Sequence, residues 1–164
     1  MDTNALIDFQ KRVERELHGD ILPFWLKYSL DTCHGGFIGR MMNDRTIIEE
    51  APKGLILNAR VLWTFSAVYR YNHDSRFLEL ARRAYEYLEC YFRDRDFGGA
   101  FWLLDGRGRC LDGMKKIYGQ AFYLYALAEY YRATRFEPAL RQAIELFHLI
   151  EEHSHDDEDL GYFE

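Results

Sequence analysis

The 164-residue chain carries a formal net charge of -6, which argues against a nucleic-acid or anionic-membrane surface, and its 16% aromatic content excludes disorder. The length fits one domain, 1–164, with a substantial core. Three cysteines, Cys33, Cys90 and Cys110, without C-x-x-C spacing argue against a disulfide framework or a zinc site, and with no apolar run long enough to span a bilayer the expected location is the cytoplasm.

Residues 1–15 are polar and amphipathic, with no signal-peptide core, and a first helix is expected over about 4–29. It runs into an Asp-x-x-x-Gly-Gly-Phe motif, Asp31 to Phe37. Glu49 and Glu50, just before Pro52, read as the acidic start of a second helix over about 52–71. A third helix, about 75–92, is amphipathic: Phe77, Leu80, Ala81, Ala84, Tyr85 and Leu88 share one face, and Glu79, Arg82, Arg83 and Glu86 fill the other. The motif then returns at Asp94 to Ala100, with Phe101 behind it. A fourth helix is expected over about 115–133. A fifth, about 137–153, begins near Pro138, a favourable first-turn residue. The motif returns once more, degenerate, at Asp156 to Tyr162.

Gly36 and Gly99 lie 63 residues apart, and Gly99 and Gly161 lie 62 apart. The helices keep the same period: Ala59 falls on Ala121, Leu62 on Leu124, Tyr69 on Tyr131, Arg70 on Arg132, Leu78 on Leu140 and Ala81 on Ala143. A fixed period means stacked units that bury their apolar faces against one another. The stretches 56–69 and 117–131 are apolar nearly all round and should be buried, whereas the helices between them have a polar face. The expected fold is all-α, a toroid of α/α hairpins of about five helices, ending inside the third repeat. Short β-like runs such as Gly35 to Arg40 and Gly99 to Leu104 should form hairpin-like loops at one end.

Arg60 is the candidate for chemistry. A guanidinium in a buried helix needs a partner or a polar cavity; an ion pair bracing neighbouring helices is the structural alternative. On the repeat, Arg60 corresponds to Phe122, and Tyr118 lies one turn before Phe122 on the same face. Arg60 and Tyr118 should therefore reach one central space. Asn58 and Gln120 correspond to each other and begin the buried stretches, either to bond a helix end or to touch a ligand. His153, His155 and Asp156 resemble a metal or proton-transfer cluster, but Asp156 is the equivalent of Asp31 and Asp94, which points to loop capping and no metal. There is no phosphate loop, no G-x-S-x-G and no H-E-x-x-H.

Several runs, taken in order, resemble the cellobiose 2-epimerases of the N-acylglucosamine 2-epimerase superfamily: Gly35-Gly-Phe, Leu57-Asn-Ala-Arg-Val-Leu-Trp-Thr-Phe-Ser66, Gly98-Gly-Ala-Phe-Trp102, Lys116-Ile-Tyr-Gly-Gln-Ala-Phe122, Tyr130-Tyr-Arg-Ala-Thr134 and His153-Ser-His-Asp156. The resemblance implies the N-terminal portion of an (α/α)6 barrel and an isomerase. It implies cofactor-free epimerisation at C2 of the reducing-end sugar of a β-1,4-linked disaccharide of the cellobiose, lactose or mannobiose class. Arg60 then contacts the reacting sugar, Tyr118 lines the same pocket, and Asn58 and Gln120 are further substrate-binding candidates. The proton-transferring histidines implied by the resemblance lie on later inner helices, so the general base and acid are expected to be absent from this chain, which would be inactive alone. Two other readings stand beside it. One is a helical-repeat binding or assembly protein that self-associates through an open apolar edge. The other is an α/α-barrel glycosidase, which needs two opposed carboxylates where the inner helices offer only Glu129.

Overall fold

The fold follows the helical periodicity closely. In the computed structural model, which describes residues 3–164, helix α1 spans Thr3–Glu16 and passes through a π-helical turn, Leu17–Ile21, into α2, Leu22–Tyr28. Then come α3 (Leu55–Asn72), α4 (Ser75–Tyr87, extended by a π-helical turn to Phe92), α5 (Ile117–Thr134) and α6 (Glu137–Ser154). Helix α4 starts where Asp74 accepts a hydrogen bond from the Arg76 amide, a side-chain cap for one of the free N–H groups of its first turn. The turns closing the two hairpins each contain one left-handed residue, His73 at φ 57° and Arg135 at φ 57°, again 62 residues apart.

Helices α3 and α5 pack side by side, with α4 against α3 and α6 against α5. The core lies between these layers: Leu55, Ala59, Leu62 and Phe65 from α3, Ala81, Ala84 and Leu88 from α4, and Tyr123, Ala126 and Leu127 from α5. The inner helices are not covered all round, as the sequence reading expects of them. Ile56, Leu57, Arg60 and Thr64 on α3, and Tyr118, Ala121, Phe122 and Tyr125 on α5, are half-buried or exposed. An inner helix has neighbours on three sides, and its fourth looks toward the centre of the curve. Apolar residues on that fourth side mimic burial in the sequence.

The loops gather at one end. Strands β1 (Lys53–Gly54), β2 (Leu103–Leu104) and β3 (Cys110–Asp112) make an antiparallel sheet in the order β1-β2-β3, which ties the start of α3 to the second loop. Strands β4 (His155–Asp156) and β5 (Gly161–Tyr162) pair at the end of α6. The run Gly35 to Arg40 is not a strand; Phe37 bridges Leu30, as Ala100 bridges Arg93. All three motif loops close on the same bond, from Ile38 N–H to Ser29 carbonyl, Phe101 to Phe92, and Phe163 to Ser154.

Candidate functional site

Two loop clasps hold the starts of the inner helices. Asp31 Oδ1 accepts the amides of Cys33 and His34, and Asp94 Oδ1 accepts those of Asp96 and Phe97. Each second oxygen takes a lysine: Lys53 Nζ at 2.7 Å from Asp31 and Lys115 Nζ at 2.6 Å from Asp94. Lys53 also donates to the Gly35 carbonyl at 2.8 Å and lies over the face of Tyr87, while Lys115 lies over Phe101. Burial works to raise the Asp31 carboxyl, but the Lys53 hydrogen bond and the two amide donors outweigh it and hold it below its ordinary value. The Lys115 bond does the same for Asp94. Asp156 repeats the cap with the amides of Glu158 and Asp159, so the capping expectation for this aspartate holds. Lys53 and Lys115 are absent from the sequence-derived candidates, although their spacing of 62 residues was a legible signal.

Asn58 and Gln120 stand at the same end of the inner helices and bond backbone there. Gln120 is fully buried and reads both backbone groups of Ala100, accepting its N–H at 2.8 Å and donating to its carbonyl at 2.8 Å. Asn58 donates only to the Gly54 carbonyl, one turn back, and its Oδ1 is buried without a partner. Both side chains bond backbone at the loop end of their helices. Glu49 and Glu50 do not cap a helix either, because α3 begins later, at Leu55; Glu50 instead pairs with Arg107 at 2.8 Å. Glu129 is consumed between Arg70 and Arg132, which removes the one inner-helix carboxylate available to a glycosidase reading.

Arg60 is exposed, not buried, and makes no hydrogen bond or ion pair to any described residue. Its charge therefore needs no bracing partner, which corrects the burial premise. It lines a groove of about 440 Å³ with Ile21, Leu22, Trp25, Leu57 and Thr64. Tyr118 is 57% exposed and sits edge-on to Phe122 at 5.0 Å; its amide donates to Glu164 at 3.1 Å. Trp63 and Tyr125, equivalents in the repeat, stack at 5.2 Å. That stack sets the exposed strips of α3 and α5 side by side, with Arg60 on one and Tyr118 on the other. An unpaired guanidinium offers five N–H donors, and aromatic rings beside it offer faces for a sugar. Neither strip carries a histidine or a carboxylate. Among the described residues no three His, Cys, Asp or Glu side chains are placed to hold a metal, and no helix is long and apolar enough to cross a membrane.

Comparison with known proteins gives a consistent pattern. Residues 36–164 match the N-acylglucosamine 2-epimerase (GlcNAc 2-epimerase) family. The chain is 43% identical over 155 residues to the cellobiose 2-epimerase of Bacteroides fragilis, covering 94% of this chain and 40% of that protein. It is 37% identical over 164 residues to that of Dictyoglomus turgidum, covering 100% of this chain and 41% of that protein. The solved structure of cellobiose 2-epimerase from Spirochaeta thermophila superposes with a TM-score of 0.93 at 38% identity, over 99% of this chain and 40% of that one. The chain thus spans about 40% of the length of these relatives, and its helical hairpins are part of an (α/α)6 barrel.

Proposed function

The chain belongs to the N-acylglucosamine 2-epimerase family, and on that premise we propose that it is the N-terminal part of a carbohydrate 2-epimerase that converts the reducing-end glucose of a β-1,4-linked disaccharide to mannose. The observation that carries the reading is the unpaired, solvent-open guanidinium of Arg60 on α3, with Tyr118, Phe122 and Tyr125 on the uncovered side of the adjoining α5. Epimerisation at C2 removes the proton next to the carbonyl of the open-chain sugar and returns one to the opposite face. The intermediate is an enediolate whose developing oxygen charge calls for a cationic donor already in place. Arg60 supplies that donor, and its charge is not spent on any carboxylate of the fold. Tyr118 offers a hydroxyl and a ring edge to the same sugar. The base and acid that move the proton have no candidate on either strip and belong to other segments of a complete barrel.

The test is a chimera in which this chain replaces the aligned segment of the Bacteroides fragilis enzyme. In D2O it is expected to epimerise cellobiose with deuterium entering at C2. Arg60→Met should lower turnover by about 10²–10³-fold, as when one preorganised oxyanion donor is lost, and Tyr118→Phe should cost less because the ring remains. Turnover unchanged by Arg60→Met in a folded, active chimera would sink the reading.

One observation favours the assembly alternative. Helix α1 buries none of its residues, and Leu6, Ile7, Phe9 and Val13 are exposed. Sedimentation of the 164-residue chain decides it: a monomer at all concentrations, with no dye-binding apolar surface, removes it.

A further inference from the structure

The two Gly-Gly loops are built alike, but the outer helices behind them are not. Behind the first loop, Arg83 of α4 donates from Nε to the Gly36 carbonyl at 2.9 Å and from Nη2 to the Asp31 carbonyl at 2.5 Å. Tyr87 lies flat against the same loop; a Cβ on Gly36 would come within 2.6 Å of its ring. The 62-residue period puts Glu145 where Arg83 stands and Leu149 where Tyr87 stands. Glu145 pairs with Arg93 at 3.0 Å and sends no donor to the loop, because a carboxylate has none to send. What remains between the second loop and α6 is a cavity of about 270 Å³, with Asp94, Gly98, Gly99, Gln142, Leu146 and Leu149 in its lining.

The polar groups around this cavity are short of donors. The Gly99 carbonyl accepts the Asp94 amide, as the Gly36 carbonyl accepts the Asp31 amide, but no side chain replaces the arginine. Gln142 is 6% exposed; its Nε2 donates to Glu89 at 2.8 Å and to the Tyr123 hydroxyl at 2.6 Å, leaving Oε1 buried without a partner. Arg93 and Arg95 also line the cavity but are already held by Glu89 and Glu145, so they add little net field. A planar group with several N–H donors meets acceptors and can lay its face on the leucines.

We infer that the cavity behind the second Gly-Gly loop binds a guanidinium group, taking the place that Arg83 fills in the first repeat. The inference is independent of the epimerase reading. Its test titrates methylguanidinium into the isotope-labelled 164-residue chain at constant ionic strength, reading the amide resonances of Gly98, Gly99 and Ala100 and the side-chain amide of Gln142. Saturable shifts with a Kd on the order of 1 mM are expected, in keeping with so few ligand atoms, and methylammonium should give none. Agmatine and an N-acetylarginine amide then distinguish a free small molecule from an arginine side chain as the better occupant. Glu145→Arg should supply the guanidinium from within, raise the melting temperature and abolish the shifts. Gln142→Leu should weaken binding about tenfold while leaving the fold intact, and it decides the matter should the arginine variant fail to fold. The absence of saturable shifts in the unmodified chain, or shifts unchanged in Gln142→Leu, would overturn the inference.

Discussion

Lys53 hides its ammonium completely between the Asp31 carboxylate, the Gly35 carbonyl and the face of Tyr87. Lys115 makes the matching pair but remains 26% exposed. Lys53→Met strands a buried carboxylate, so it should cost about 3–5 kcal/mol; Lys115→Met should cost less, because the lysine side of that pair is open to water, although Asp94 itself is as buried as Asp31. Denaturant melts of the two variants give the comparison, and equal losses would contradict it. The sign of the pH dependence follows from the same pairs. Asp31 and Asp94 sit below their ordinary value of 3.8 when folded, so their contribution is full above that value and disappears as pH falls through it toward the depressed folded values. The Lys53→Met variant should show a shallower loss of stability below about pH 4 than the unmodified chain. The third loop offers a cleaner backbone test. Leu160, 82% exposed, holds the left-handed conformation, φ 60°, that Gly35 and Gly98 hold in the other loops. A side chain there is strained by about 1–2 kcal/mol, and nothing packs on it. Leu160→Gly should therefore raise the unfolding midpoint slightly despite the added backbone entropy.

The element that most rewards comparison is the start of each inner helix. Gln120 joins α5 to the second loop as though it were a strand neighbour of Ala100. Asn58, at the same place on α3, is one methylene shorter; it bonds only the Gly54 carbonyl at the cap of its own helix and leaves Oδ1 unpaired. Asn58→Gln is expected to let the side chain reach Phe37 as Gln120 reaches Ala100, adding up to about 1 kcal/mol for a buried hydrogen bond gained. Loss of stability would instead show that the space beside Phe37 admits no further methylene. The same comparison explains Glu129. It ties α5 to α3 through Arg70 and to its own helix through Arg132, so the two equivalent arginines of successive repeats share one carboxylate.

At the scale of the molecule, stability is concentrated in the layer from α3 to α6. Helix α1 contributes no buried residue, whereas α6 buries Ala139, Gln142, Ala143, Leu146, Ile150 and Ser154. A chain starting at Glu16 should keep its melting temperature within a few degrees, while removal of α6 should abolish cooperative unfolding, since it uncovers Tyr123 and its neighbours in α5. Calorimetry of the two truncations tests this; a collapse on removing α1 alone would show that its apolar face is covered in solution.

The sequence by itself determined the five helical segments, the 62–63-residue period, the capping aspartates and the motifs that carry the family resemblance. These are local or periodic features: a helix needs only its own hydrophobic spacing and a cap only its neighbouring amides. What only the tertiary structure decided is which face of each inner helix stays open. Arg60 reads as buried among Ile56, Leu57 and Val61, yet it is exposed on the concave side, because the centre of a curved array leaves its apolar lining uncovered. The structure also decided the partners of Lys53, Lys115, Gln120 and Glu129, each about 20 or more residues away in sequence. Hydrogen bonds at that separation depend on where loops and helices meet in space, and no local pattern encodes that meeting until the repeats are stacked.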